Sequence, residues 1–572
     1  MRVADWFIFI LYLASTIFIG LWKSRGGKDV KGYFLGERDL PWWAVGLSVM
    51  ATQASAITFI GTTGQAFNDG MRFIQIYLPL PLVVVILCVR FVPFFYRANV
   101  YTAYEYLERR FDAKTRTLTS LLFQLSRGMG VGIILYAPSV VLSVILGWDE
   151  RFTIMLMGVT TLIYTALGGV RAVVWTDTMQ MLLMFFGVLL GPYLMISGLP
   201  EGISFSDAVY LGGANKRWNA INPSLDLSDP YTLLSGLLGG FFLMLSYFGC
   251  DQSQVQRYIT ARSIKESRMS LMMTAILKVP MQFLILATGV LLMVFYNFER
   301  PPAFFNPADI NKALNDARTK DEFLKRQEEF LAAFEQRRAA ALRLLEARRR
   351  GDQTEQLLAD YRRSDQLLKE ARSRAVKVIE SAGGAKSSDV NYVYPSFLLR
   401  YAPAGLLGLM ISVIFAAAMS SISAELAALS SATMIDIYRK HLRPMATEAH
   451  YLRASRICTL AWGAFATMVA TYAGKIGASL VETVNKVGSH FYGPILGVFL
   501  LAMLIRKSNG HGAFWGTLAG FIAVVYVSWG TQIPWLYYNV VGAAAVLIIG
   551  TLVSLIAAPA RAIAPGDPQD PR

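Results

Sequence analysis

Residues 404 to 438, AGLLGLMISVIFAAAMSSISAELAALSSATMIDIY, join an apolar run long enough to cross a bilayer to a dense file of hydroxyls. A spanning helix needs only about 20 apolar residues, and polar groups inside one usually face a bundle interior, a cavity or an ion path. Ser420, Ser421 and Ser423 therefore constrain what can surround this segment. On a helix, side chains at i+3 and i+4 lean back over the carbonyl of residue i, which puts the hydroxyls of Ser420 and Ser421 beside the carbonyl of Ala417. Clustered oxygens without nitrogen or sulfur suit a hard cation better than zinc or copper. The same serines also fit a plainer use, bonding back to the preceding turn or packing small against a neighbouring helix.

The rest of the chain sets this segment in a polytopic membrane protein. Of 572 residues, 54% are hydrophobic and 16% charged, with mean hydropathy +0.43. Thirteen candidate spans follow from the apolar runs: about 5–22, 42–66, 74–96, 117–147, 152–169, 178–198, 231–250, 270–297, 396–436, 454–473, 480–505, 512–530 and 536–557. The net charge of +15 is concentrated in alternate short loops: Lys23, Arg25, Lys28, Lys31 and Arg38; Arg97, Arg109, Arg110, Lys114 and Arg116; Arg257, Arg262, Lys265 and Arg268; and Arg439, Lys440, Arg443, Arg453 and Arg456. With thirteen spans these loops share one side, which the positive-inside rule makes cytoplasmic. The expectation is a multi-pass protein of the plasma or bacterial inner membrane, N-terminus outside and C-terminus cytoplasmic. The charge is then a topology signal and not a nucleic-acid footprint. Asp5 precedes the first apolar run and no small-residue cleavage site follows it, so this span reads as a retained helix. Cys88, Cys250 and Cys458 are too scattered for a metal cluster or a disulfide framework.

One stretch breaks the composition. Residues 299–394 exchange hydrophobicity for charge, with Leu324, Phe330, Phe334, Leu342 and Leu345 near helical spacing. After Gly351 a second stretch runs through Leu357, Leu358, Leu367 and Leu368 to Gly383 and Gly384. This reads as a helical hairpin on the external side, since long domains translocate largely regardless of charge. It is either a solvated coiled hairpin or a lid or docking element for an external protein partner. The second span carries Thr52, Gln53, Ser55, Thr58, Gly61, Thr62, Thr63 and Gly64 from its middle onward, and is expected to break near Ala51 to Ser55. Span seven is likewise weakened by Gly236, Gly239 and Gly240. Interrupted segments five spans apart fit two inverted five-helix repeats with solute and ion near the midplane.

These pieces resemble the sodium/solute symporter family, which includes sodium/glucose, sodium/proline and sodium/sialic acid cotransporters. The resemblance is carried by YFLGERDLPWWAVGLSVMATQASAITFIG, VYTAYEYLERRF, YTALGGVRAVVWTDTMQ, FGCDQSQVQRYITARS and AAAMSSISAELAALSSATMIDIY, in family order over nearly the whole chain. It implies an all-α polytopic membrane protein with a leucine-transporter-like core of two inverted five-helix repeats. It also implies secondary active uptake, in which sodium entering down its gradient carries an organic solute. The implied division is 1–41, first helix and cytoplasmic loop; 42–298, first repeat and start of the second; 299–394, the extracytoplasmic hairpin; 395–505, the rest of the second repeat; and 506–572, two flanking helices and a short tail.

By position, the family's common sodium site falls on the carbonyls of Ala51, Ala54 and Ala417 and the hydroxyls of Ser420 and Ser421. Some members hold a second sodium with an aspartate and serines that here are Asp177, Ser420 and Ser423, although Ala424 stands where those members have another hydroxyl. Asp177 equally fits a helix N-cap or a salt bridge to Arg171, and Glu425 is unusual for the pattern. Arg127 lies inside a span, where a central guanidinium costs about 2.5–3.5 kcal/mol on insertion scales. Sialic-acid-type members use an arginine of this helix on the solute carboxylate, which makes a carboxylated solute the leading class; snorkelling or an internal carboxylate are the other ways to satisfy it. Gln53, Ser55, Thr58, Phe73, Gln75 and Tyr77 complete the expected pocket.

Three functional classes fit such a chain: a sodium-coupled symporter, an uncoupled uniporter and a solute sensor. The tail after about residue 558 is far too short for a kinase. An enzyme fits least, because His441, His450, His490 and His511 have no metal or catalytic spacing. No organic cofactor is expected. The expected partners are sodium, a small solute and lipid.

Overall fold

A computed structural model describes residues 1–24, 29–383, 389–473 and 480–557. The tail after about residue 558, Arg25 and Lys28 of the first basic loop, and the hairpin-closing Gly384 lie outside the described residues. Among those described, the chain is helical, with one isolated bridge between Leu40 and Ala261.

Helix occupies each of the thirteen expected stretches. The first half holds α1 (Val3–Lys23), α2 (Trp42–Gln53), α3 (Ala56–Asp69), α4 (Ala113–Leu146) and α5 (Glu150–Ser197), with shorter helices between 70 and 98. The second half begins with α6 (Gly240–Cys250), α7 (Gln252–Tyr258) and α8 (Ile264–Phe295), followed by the charged pair α9 (Lys320–Arg350) and α10 (Glu355–Ser381). Then come α11 (Leu406–Ala432), α12 (Glu448–Ala473), α13 (Leu480–Leu504), α14 (Gly510–Gly530) and α15 (Tyr538–Ile556). Nine helical runs among the described residues are long and apolar enough to cross a membrane. Their outward side chains, such as Phe7, Leu82, Phe186, Ile276 and Tyr526, are exposed and mostly apolar, as lipid contact requires.

α11 is the central element, enclosed by α5, α4, α1, α12 and α2. Its Ala, Ser and Gly content lets those neighbours approach closely, which is how helices associate where lipid removes the hydrophobic drive. α2 and α3 are separated by Ala54, which leaves helical geometry (φ −86, ψ 71), and by extended Ser55 (φ −75, ψ 166). α5 folds into two spans at Gly169, whose φ of +58 only glycine adopts readily and whose Cβ would meet the Tyr33 carbonyl at 2.5 Å.

Span seven is loosened but not broken at its glycines, where Ser235–Gly239 form a π-helical turn. Gly236 and Gly240 also let it approach the segment at 70–77, where an added Cβ would stand 2.7 Å from the carbonyls of Gln75 and Ile76. The interruption comes at its end, where Asp251 is extended between α6 and α7 (φ −81, ψ 125). Asp251 accepts the Ser253 amide and hydroxyl there, at 2.8 and 2.7 Å.

The charged stretch forms the expected hairpin, turned at Gly351. Its register is shifted from the leucine pattern. Leu324, Leu342 and Leu367 are exposed, whereas Phe323, Ala341, Leu344 and Tyr361 join Phe330, Phe334, Leu345 and Leu368 in the interior. The hairpin lies against the body through Arg349 on Asp207 (2.5 Å), Tyr361 on Asn297 (3.0 Å) and Arg362 on the Ala214 carbonyl (2.8 Å). At the opposite end, the basic loops meet: Arg116 pairs with Asp436 at 2.7 Å and with Glu108 at 2.7 Å, and Lys440 pairs with Glu108.

Candidate functional site

The break between α2 and α3 faces the serines of α11. Ser420 donates its hydroxyl to the Ala51 carbonyl (3.1 Å) or the Ala417 carbonyl (3.2 Å), and Ser421 to the Thr52 carbonyl (3.1 Å) or the Ala417 carbonyl (3.2 Å). All five residues are buried. The back-bond to Ala417 that the sequence allows is therefore made, but each hydroxyl also spans to the broken helix. Three carbonyls and two hydroxyls thus converge without a competing nitrogen, a donor set that suits a hard cation. Expected Ala51, Ala417, Ser420 and Ser421 are brought together. Ala54 sits at the break, its amide bonded to the Met50 carbonyl at 2.8 Å, and the carbonyl facing Ser421 is that of Thr52, which the sequence reading missed. Among the described residues there is no His/Cys/Asp/Glu group fit for a transition metal.

Asp177 is buried in the interior of α5, so it does not cap a helix. One carboxylate oxygen accepts Ser48 at 2.6 Å, and the other lies 3.5 Å from the Ser423 hydroxyl. Its basic neighbour is Arg257, at 3.9 Å, in place of the expected Arg171. Ser423 is brought to Asp177, whereas the Ser420 hydroxyl is turned to Ala51 and Ala417; Ser420 meets this cluster through its carbonyl, which accepts Ser423 at 3.0 Å.

A cavity of about 110 Å³ lies on the other side of the break, enough for several waters or part of a small solute. Expected Gln53, Ser55, Thr58, Phe73, Tyr77 and Arg127 all line it. Gln75 does not: it is fully buried elsewhere, donating to the Arg72 and Tyr231 carbonyls (3.1 and 2.9 Å) and accepting the Asn222 amide (3.0 Å). Glu425, Tyr247, Met244 and Tyr492 are also among its walls. The amide nitrogen of Gln53 reaches the Met244 sulfur at 3.8 Å, and its carbonyl oxygen is a buried acceptor without a partner among the described residues.

Arg127 is compensated from within the protein. Its guanidinium pairs with Asp251 at 2.5 Å and Glu425 at 2.9 Å, and lies 4.9 and 5.1 Å from the Tyr247 and Tyr492 ring centres. Of the ways the sequence leaves open to satisfy it, the internal one is seen: two carboxylates of the protein pair with it. Asp251 was hidden in sequence as a partner because it lies on a different element, 124 residues away. Glu425 was visible as an odd acidic residue in α11, without an address for its charge.

The family model for the sodium:solute symporter family matches residues 33–320 and 372–520, leaving most of the hairpin unmatched. A sodium/sialic acid symporter SiaT of Proteus mirabilis is 26% identical over 97% of this chain and 96% of its own length. A sodium/sialic acid symporter NanT of Aliivibrio fischeri is 26% identical over 95% of this chain and 91% of its own. A sodium/glucose cotransporter of Vibrio parahaemolyticus is 26% identical over 90% and 83%. Among solved structures, the substrate-bound outward-open state of a sodium-coupled sialic acid symporter superposes with a TM-score of 0.77 at 25% identity, covering 98% of this chain and all of that one.

Proposed function

Since the chain belongs to the sodium:solute symporter family, we propose that it takes up a carboxylated organic solute together with sodium, using Arg127 as the group that the solute's carboxylate engages. It is a multi-pass membrane carrier with the leucine-transporter-like fold, not an enzyme, and its relatives support sodium-coupled uptake of a small solute. The supporting observation for the coupling is that the cation cradle and the cavity share two elements. Ala51 and Thr52 offer carbonyls to the cradle while Thr52, Gln53 and Ser55 line the cavity; Ser420 and Ser421 serve the cradle while Glu425 lines the cavity. A sodium ion in the cradle fixes the break, and the fixed break shapes the cavity.

Arg127 is held between two carboxyls, Asp251 and Glu425, and a sodium ion in the cradle would lie about one helical turn from Glu425. In this reading a solute carboxylate takes the Nη1 edge of Arg127 from Glu425, while Asp251 keeps the other edge. Gln53 and Ser55 supply hydrogen bonds, and Phe73 and Tyr77 cover the solute. The sodium ligands are assigned as Ala51, Thr52, Ala417, Ser420 and Ser421, and Asp177 with Ser423 and Ser48 as a second cation site. In the same reading the N-terminus lies outside, which the positive-inside rule applied to the basic loops supports.

A second reading is favoured by the compensated Arg127: a neutral polar solute bound by Gln53, Ser55 and Thr58, with the triad serving only to hold α4, α6 and α11 together. A thermal-shift screen of carboxylates, sugars and amino acids, with sodium and with potassium, separates them, because a ligand of the folded state raises its apparent stability. Carboxylates should stabilise wild type more strongly in sodium than in potassium. A neutral sugar that stabilises wild type and Arg127→Gln alike would overturn the carboxylate assignment.

A further inference from the structure

The hairpin that the family model leaves mostly unmatched encloses, with the body, a second and larger cavity of about 470 Å³. Its floor is the far end of α3, at Phe67 and Asn68, with Met293 and Tyr296 from the end of α8; its roof is Phe330 of α9 and Leu368 of α10. Thirteen residues of helix separate Ser55 in the central cavity from Asn68 here, placing the two roughly 20 Å apart along α3. This end of α3 points away from the basic loops.

The charge of the lining is unbalanced. Among the described residues, Arg217, Arg337, Lys369 and Arg372 face it against Asp365 and Asp389. Asp365 is shared by Arg337 (3.2 Å) and Lys369 (2.7 Å), and Asp389 is bonded by Arg372 at 2.7 Å. Arg217 bonds the Asn68 carbonyl through Nη1. The Nε donors of Arg217 and Arg337 are buried without an acceptor among the described residues. Asp69, at the same helix end, is bonded by Gln65 at 2.5 Å and does not line the cavity. The lining groups thus carry a formal excess of two positive charges, part of which Asp69 beside Arg217 offsets, between aromatic walls that include Phe67, Tyr296 and Phe305. Guanidinium groups recognise carboxylates, and the aromatic faces suit a flat or ring-shaped body.

We propose that this vestibule is a second binding site, for an organic carboxylate, through which the anionic solute is collected before it reaches the central cavity. The assignment of its ligand as the transported solute rests on the carboxylate reading of the central site; the anion site itself does not. The hairpin supplies Arg337, Lys369, Arg372 and Asp365 to it, which gives the inserted α9 and α10 a function. A surface excess of charge also raises the local concentration of an opposite ligand, and salt screens that effect.

Benzoate and its neutral isostere benzamide make a suitable probe pair, titrated by calorimetry against the full chain in sodium-free buffer, where the sodium-coupled central site is weak. Benzoate should bind about tenfold more tightly than benzamide, one charge-assisted pair being of that order, and less tightly as ionic strength rises. Arg217→Gln should weaken benzoate severalfold. Ser373→Asp, on an exposed position of α10 that lines the cavity, adds a negative charge without removing a contact and should do the same, with Ser373→Asn as the silent control. Arg127→Gln should leave sodium-free benzoate binding in place. Equal binding of benzoate and benzamide, or benzoate binding unchanged by Ser373→Asp, overturns the site. Binding lost in Arg127→Gln but kept in Ser373→Asp moves the anion to the central cavity and overturns it too. Intact vestibule binding with carboxylates excluded from transport would retain the site and refute only the central reading.

Discussion

Ser421 and Glu425 lie one helical turn apart on the same face of α11, and they face different partners: Ser421 reaches the Thr52 carbonyl at 3.1 Å, while Glu425 reaches Arg127 at 2.9 Å. The cradle and the triad are therefore joined by a single turn of rigid helix. Any cation that draws in the Ser421 hydroxyl acts on the group that holds Arg127. Coupling between two sites is reciprocal, so a solute that reorganises the triad must change sodium affinity by the same factor.

Glu425→Gln tests whether Arg127 is exchanged between protein and solute. Removing the competing carboxylate should tighten carboxylate binding severalfold in sodium, and Arg127→Lys, which keeps the charge and loses the planar fork, should weaken it about tenfold. Binding isotherms of both variants decide this. Equal effects on a neutral sugar and a carboxylate would instead support the purely structural triad.

Asp177→Asn keeps an acceptor for Ser48 but removes the charge that Ser423 and Arg257 face. If the carboxylate holds a second cation, the sodium dependence of uptake becomes less steep. A response as steep as wild type, at normal expression, would leave Asp177 as the counter-ion of Arg257 alone.

Deleting residues 308–384 with a short flexible linker should preserve sodium-coupled uptake, because no cradle or cavity residue comes from the hairpin. Half-saturation for an anionic solute should rise severalfold as the vestibule is lost. Abolished transport in a protein that still inserts would make α9 and α10 part of the core machinery.

The hairpin should loosen in acid. Burial works to raise the Asp207 carboxyl, but hydrogen bonds from Arg349 and Ser204 hold it below the usual carboxylate range; Asp365 is held down against burial by Arg337 and Lys369. Carboxyls lower in the folded state contribute stability that is complete above the unfolded value of about 4 and is lost as pH falls below it. Protease resistance of the hairpin should hold from pH 7 to about 4 and then fall. Asp207→Asn with Asp365→Asn should be susceptible already at neutral pH, and a variant as resistant as wild type there would contradict the anchoring role.

What could be read from sequence was what periodicity and polarity expose. The hydroxyls of α11 and the polar middle of the second span pointed to Ala51, Ser420 and Ser421, because hydroxyls in an apolar run have few destinations. Which carboxylates pair with Arg127 was not legible, since Asp251 is placed by the packing of elements distant in sequence and not by local pattern. Gln75 resembled a pocket residue for the same reason that it is buried: a polar side chain beside Phe73 and Tyr77, but on the opposite face of their turn. The hairpin leucines misled because solvated helices tolerate exposed Leu324 and Leu342, while alanines such as Ala341 take the close contacts.

Sodium activation of uptake in proteoliposomes, comparing wild type with Ser420→Ala plus Ser421→Ala, tests the coupling most directly. Alanine suits the helix, so the double variant should remain folded. Each lost hydroxyl ligand removes roughly 1 kcal/mol, and the sodium concentration for half-maximal uptake should rise by about tenfold or more, with wild-type uptake abolished when potassium replaces sodium. Uptake that proceeds equally in potassium, or a double variant with the sodium dependence of wild type, would contradict the account.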